Sequence, residues 1–216
     1  MAIFLGVILL LNFPVLAGRC FRSLMFEPGS VAGGQWWRVL THPFIHVTWY
    51  HLLLDGTAFM SLYASLIEPR VFRRLIYVAA GATGSLVLSA ATAIPGSGFS
   101  LCGLSGIAHG LMAVSAIEMI TSQGADAVER RIGWITLVMV VGKAAIEAVT
   151  GHMFFAFLDF GLLGSPVAVS HAGGIVGSLL AMLGFSLSSR RQSKTGISTN
   201  YCRCRKVSPG FAHSEA

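Results

Sequence analysis

Long apolar runs dominate the chain, each broken by a short polar, basic or glycine-rich stretch. A helix that crosses a bilayer needs about 20 mostly apolar residues. Six stretches approach that length, at 2–18, 48–67, 75–94, 104–122, 132–150 and 168–187. The intervals are punctuated. "EPGSVAGGQWWR" (27–38) ends in two tryptophans, a residue type that sits at membrane interfaces. "EPRVFRR" (68–74) reads as a basic turn, "IPGSGFSLCG" (94–103) as a glycine-rich loop and "SQGADAVERR" (122–131) as a polar connection. "GHMFFAFLDFGLLGSP" (151–166) is aromatic but too interrupted to span. The pattern predicts an all-α membrane protein: one six-helix bundle over 1–187, then a basic, disordered tail over 188–216.

Composition supports this picture. Hydrophobic residues make up 54% of the chain and charged ones 11%, against roughly 25% charged in a soluble domain. The net charge of +6 then bears on orientation and lipid contact rather than on nucleic acid. With six spans, one side collects Arg70, Arg73, Arg74, Arg130, Arg131 and the basic residues of the tail, and the other side only Arg19, Arg22 and Arg38. Both termini are therefore expected in the cytoplasm. The opening "MAIFLGVILLLNFPVLAG" lacks a positive leading region and has a long apolar stretch, so it reads as a first transmembrane helix rather than a cleaved signal. The cysteines at 20, 102, 202 and 204 form no regular disulfide or metal framework.

Ionisable groups at membrane depth are costly and need a partner or a task. His42, His46, His51 and Asp55 surround the start of the second span, Ser105 and His109 begin the fourth, and His171 begins the sixth. The charge count puts these helix ends on the outer side, so residues distant in sequence converge at one depth. A serine hydroxyl needs a base to become a nucleophile, and a histidine from a neighbouring helix can serve. The Ser105 amide, His51 and residue 55 are candidate donors to an oxyanion. Gly103 and Gly106 allow close approach, and Gly174 and Ser178 share the helix face of His171.

Rival readings attach to each feature. G-x-S-G arises in glycine-rich membrane helices through packing alone. His109 lies one turn after Ser105 and reads as a supporting or packed residue. His42 and His46 have the i, i+4 spacing of metal ligands, but no H-E-x-x-H accompanies them. His152 and His213 read as loop and tail residues.

Three motifs in order, "WWRVLTHPFIHVTWYHLLLDG", "CGLSGIAHGLM" and "SHAGGIVGSLLAML", resemble the rhomboid family of intramembrane serine proteases. The resemblance covers the second through sixth spans. It implies a serine–histidine dyad without an acidic third member, with Ser105 as nucleophile, His171 as general base, and His51 and residue 55 at the family's oxyanion histidine and asparagine. Position 55 departs from that pattern: Asp55 stands where asparagine is expected, and an ionised carboxylate would repel an oxyanion. His109 in place of an aromatic residue, and Lys143 with Glu147 at i, i+4 in the fifth span, are similar to the bacterial rhombosortases, which process proteins bearing a C-terminal glycine-glycine sorting anchor.

The resulting expectation is a multi-pass enzyme of a bacterial inner membrane. It cleaves transmembrane-anchored proteins near the outer face, contacts lipid and no nucleic acid, and uses no metal or cofactor. The competing expectations are an inactive rhomboid-like protein that binds transmembrane clients, which Asp55 favours, and a small transporter with histidines along a proton path.

Overall fold

The computed structural model describes residues 1–94, 98–154 and 167–203, with side chains described to residue 189. Most of the 151–166 stretch and the 204–216 end, with Cys204 and His213, lie outside the described residues. The chain divides into two units, Met1–Ala181 and Met182–Ala216. In the first, helix α1 (Ala2–Asn12) runs into a 3-10 turn, Phe13–Ala17. Short helices α2 (Pro28–Ala32) and α3 (Arg38–Thr41) lead to a 3-10 turn at His42–Phe44. Helices α4 (Trp49–Ser65), α5 (Val71–Thr92), α6 (Ser105–Thr121), α7 (Ala127–Thr150) and α8 (Val169–Arg203) follow. In the second unit the backbone is helical to Arg203.

Among the described residues, three helices are long and apolar enough to cross a membrane: Val71–Thr92, Ala127–Thr150 and Val169–Ser189. Ala2–Ala17 and Ser105–Thr121 are apolar but shorter. Apolar side chains such as Val138, Met139, Val149 and Val176 are exposed, whereas Asn12, Ser85, Glu118, Glu147, His171 and Ser178 are buried. Greasy residues outward and polar ones inward suit a lipid solvent.

Local sequence sets the element ends. Thr48 caps α4 by accepting from the His51 amide at 3.1 Å, and Asp126 caps α7 by accepting from Glu129 at 2.7 Å. Gly151 ends α7 in the left-handed conformation. After α4 the Arg74 guanidinium donates to the carbonyls of Tyr63, Leu66 and Glu68, while Glu118 of α6 accepts from the amides of Ile67 and Glu68. The turn between α4 and α5 is therefore pinned from both sides. In the first loop, buried Arg38 donates to the carbonyls of Arg22 and Met25, and to Gln35 and Glu27.

Helix α6 packs against α4, α5 and α7. Helix α8 meets α5 and α6 backbone to backbone. A Cβ on Gly174 would strike the Gly106 carbonyl, one on Gly173 the Gly84 carbonyl, and one on Gly177 the Ala80 carbonyl. Ser178 Oγ, fully buried on the same face, donates to the Tyr77 carbonyl at 3.1 Å. The small face beginning at His171 is a packing surface, as its helical spacing implies.

Candidate active site

A cavity of about 900 Å³ receives residues from the starts of α4, α6 and α8, the end of α7, and the 98–102 loop. Ser105, His171, His51, Asp55, His109, Lys143 and Glu147 all line it. The structure brings together nearly the whole set of polar residues that the sequence marks as out of place. Ser105 is the first residue of α6, where backbone amides lack intrahelical acceptors. Before it, Gly103 has φ +99°, and its amide donates to the His42 carbonyl at 3.2 Å. A Cβ at Gly103 would lie 2.9 Å from both Asp55 Oδ2 and His51 Nε2. Glycine is required there twice, for the backbone conformation and for the approach of α4.

His171 lies in the first turn of α8. Its Nδ1 lies 2.6 Å from Glu147 Oε2. Lys143 Nζ contacts both oxygens of Glu147, at 2.8 Å and 2.9 Å, and Glu147 Oε1 accepts from the Phe154 amide at 2.9 Å. The pair expected from i, i+4 spacing is formed, but it belongs to a larger assembly. Lys143 Nζ also reaches His109 Nε2 at 3.0 Å, and His109 Nδ1 reaches the Ser105 carbonyl at 2.7 Å. The His109 and His171 rings are stacked, with centroids 3.9 Å apart and planes 13° apart. The resemblance implies a dyad with no acidic third member; here a carboxylate lies on the histidine.

In a second group, Asp55 Oδ2 faces His51 Nε2 at 3.2 Å and His46 Nε2 at 3.6 Å. His46 is fully buried and anchored by Asn12. Asn12 Nδ2 donates to the carbonyls of Ile8 and Phe44, so its Oδ1 is the acceptor for both the His46 amide at 2.8 Å and His46 Nδ1 at 3.2 Å. The proton of a neutral His46 ring is therefore on Nδ1, and Nε2 presents a lone pair to Asp55. Nothing in the Asn12 sequence context marks this role; the signal is only a polar residue late in an apolar helix.

Burial holds His46 below the ordinary imidazole range. It also takes His42 down to about 4, against hydrogen bonds to backbone carbonyls. Cys102, the neighbour of Gly103, is pushed up to about 12, chiefly by burial. Its thiol stays protonated. His152 caps the end of α7, with Nδ1 2.7 Å from the Thr150 carbonyl, outside the convergence. Among the described residues, two groups have the residue types of a metal site, His46–His51–Asp55 and His109–Glu147–His171. In the second, the facing atoms are already engaged by hydrogen-bond partners.

The chain matches the Rhomboid domain over residues 33–191. Neither a curated protein nor a solved structure matches it.

Proposed function

This chain belongs to the rhomboid family, a family of intramembrane serine proteases, and we propose that it is itself an intramembrane serine endopeptidase with Ser105 as nucleophile and His171 as general base. One observation carries the reading: Ser105 and His171 start two helices that meet through glycine and open into one cavity. No hydrogen bond joins Ser105 Oγ to His171 in this resting arrangement, and catalytic contacts often tighten only with substrate present. His109 does not compete for the role of base. Its Nδ1–H is spent on the Ser105 carbonyl and its Nε2 on the Lys143 ammonium.

Six spans with both termini in the cytoplasm remain our topology, on the charge asymmetry already described. Helix α6 has 17 residues against 22 in α5 and 24 in α7. At 1.5 Å per residue it is about 8 to 11 Å shorter. That supports a nucleophile below the outer membrane surface, reached by substrate from the lipid and by water from the cavity. The oxyanion contacts we assign to the Ser105 amide and His51, with Gly103 and Gly106 giving room and His46 supporting. Asp55 works protonated in this scheme. An ionised carboxylate would oppose both the lone pair of His46 and a developing oxyanion.

Within the family we place the chain nearest the rhombosortases, with transmembrane-anchored proteins carrying a C-terminal glycine-glycine anchor as substrates in a bacterial inner membrane. The test is labelling of the membrane-reconstituted protein by an alkyl fluorophosphonate. Labelling at Ser105 that vanishes in Ser105→Ala is the expected result. Equal labelling of both proteins would reject the assignment and favour the client-binding or transport readings. Co-expression with a glycine-glycine-anchored reporter, followed by the mass of the released C-terminus, tests the substrate class.

A further inference from the structure

Glu147 and His171 are separated by 24 residues and lie on different helices, yet Glu147 Oε2 and His171 Nδ1 are 2.6 Å apart. Glu147 is completely buried and His171 is 4% exposed. A carboxylate neutralising only Lys143 would need neither the imidazole nor the Phe154 amide. Four contacts instead occupy its two oxygens: Lys143 on each, Phe154 N–H on Oε1 and His171 on Oε2.

We propose that Glu147 is the positioning residue of a Ser105–His171–Glu147 relay, with Lys143 fixing the carboxylate. The proposal rests on the assignment of Ser105 and His171 above. The hydrogen-bond directions follow from elementary chemistry. A carboxylate accepts, so His171 Nδ1 carries the proton and Nε2 holds the lone pair a base requires. Peptide and backbone carbonyls accept too, so His109 donates from Nδ1 to Ser105 and accepts at Nε2 from Lys143. Contacts thus run from the backbone of the nucleophile through His109, Lys143 and Glu147 to the base, and each member has one tautomer open to it.

In the reaction, Ser105 Oγ bonds to the scissile carbonyl carbon while its proton passes to His171 Nε2, and the carbonyl π pair moves to the oxygen. The imidazolium that forms lies against a carboxylate already in place. When the tetrahedral intermediate collapses, the C–N bond breaks and the leaving amine takes the Nε2 proton. Water then attacks the acyl-serine, gives its proton to Nε2, and Oγ departs with that proton. Glu147 keeps its charge throughout; its contribution is the orientation and tautomer of His171. Lys143 balances that charge in a low-dielectric setting, where an isolated carboxylate is costly.

The test uses the full chain in liposomes and a rhodamine-tagged alkyl fluorophosphonate, recording the maximal labelling rate and the probe concentration at half-maximum. Glu147→Gln should lower the maximal rate by about 10²-fold or more and leave the half-maximal concentration unchanged. Glu147→Asp, which retains an acceptor, should recover part of the rate. A proton resonance far downfield, from His171 Nδ1–H, should persist in Ser105→Ala and disappear in Glu147→Gln. The resonance reads the hydrogen bond itself, and the fall in maximal rate at an unchanged half-maximal concentration separates positioning from a purely structural role. If Glu147→Gln folds poorly, Lys143→Met/Glu147→Gln removes the unbalanced ammonium and should still label slowly. Labelling of a folded Glu147 variant at the wild-type rate would overturn the relay while leaving Ser105 and His171 in place. Failure of the wild type to label at Ser105 would overturn both.

Discussion

Two clusters of the same composition, two histidines and one carboxylate, contribute to the cavity of Ser105 and differ in how they are satisfied. Around His171, the nitrogens of His109 and both oxygens of Glu147 are occupied, and His171 Nδ1 has a carboxylate partner. Around Asp55, three buried atoms lack a well-formed hydrogen bond: His46 Nε2, His51 Nδ1 and Asp55 Oδ2. A saturated cluster holds one arrangement, which suits a base that must return to its starting state in every cycle. An undersatisfied cluster can respond to charge arriving beside it, which suits the oxyanion side. The residue types alone do not distinguish these tasks; the accounting of donors and acceptors does.

The hardest way to break the comparison is to remove the reacting groups. Ser105→Ala and His171→Ala should each abolish cleavage of an anchored reporter. The double variant should be no worse than either single one if the two act as the proposed unit. Substantial cleavage by His171→Ala would move the base to His109 and end the contrast between the clusters. Next comes Asp55. Asp55→Leu should lose about 10²-fold or more if it removes an oxyanion donor. Asp55→Asn should stay active near neutral pH and hold that activity at higher pH, where wild type fades. Rates against pH for both proteins decide the matter. A dead Asp55→Asn beside a wild type that remains active at high pH would mean that the carboxylate orients His51.

Smaller effects sharpen the saturated side. Lys143→Met or Glu147→Leu strands a charge in the bundle, at a cost of about 3 kcal/mol, and should reduce folded yield in membranes. The double variant should regain yield but not activity, since His171 would still lack its carboxylate. Yield as poor as the sum of the singles would show that the pair is not coupled. The smallest expected effect concerns His42, which burial holds at about 4, below its ordinary 6.5. The unfolded chain then takes up a proton in a range where the folded one does not. This contribution to stability is complete above about pH 6.5 and is lost as pH falls toward 4. Melting temperature in detergent should drop over that window, and less steeply in His42→Phe. Equal slopes would assign the acid loss to other groups.

Much of this arrangement can be read along the chain. Apolar run length reveals α5, α7 and α8, and the placing of Ser105, His51, Asp55 and His171 at helix starts rests on the same runs. Boundaries are less visible: α5 begins at Val71 and α7 at Ala127, because half-buried Arg73 and Arg74 are accommodated in a first turn by hydrogen bonds to Glu68 and Leu66, and Arg130 is exposed. Lys143 and Glu147 are legible as a pair because one helix relates them. The contact of Glu147 with His171 is not, since it depends on how α7 and α8 come together. Asn12 holding His46 is hidden for the same reason, across 34 positions. The contact of Glu118 with the Ile67 and Glu68 amides likewise joins distant parts of the chain.

The glycine seam has a consequence for how the gene can vary. Any codon change at Gly106, Gly173, Gly174 or Gly177 that alters the residue adds at least a Cβ, and at each site that atom has backbone or a buried serine in its way. Neighbouring backbones cannot swing aside as a long side chain would. Among these four positions even alanine should be rare in a library selected for function, whereas Gly6, Gly56 and Gly142, where a Cβ meets open space, should accept it. A saturation scan would therefore draw the line where α5, α6 and α8 meet as a row of intolerant positions, without reference to the chemistry beside it.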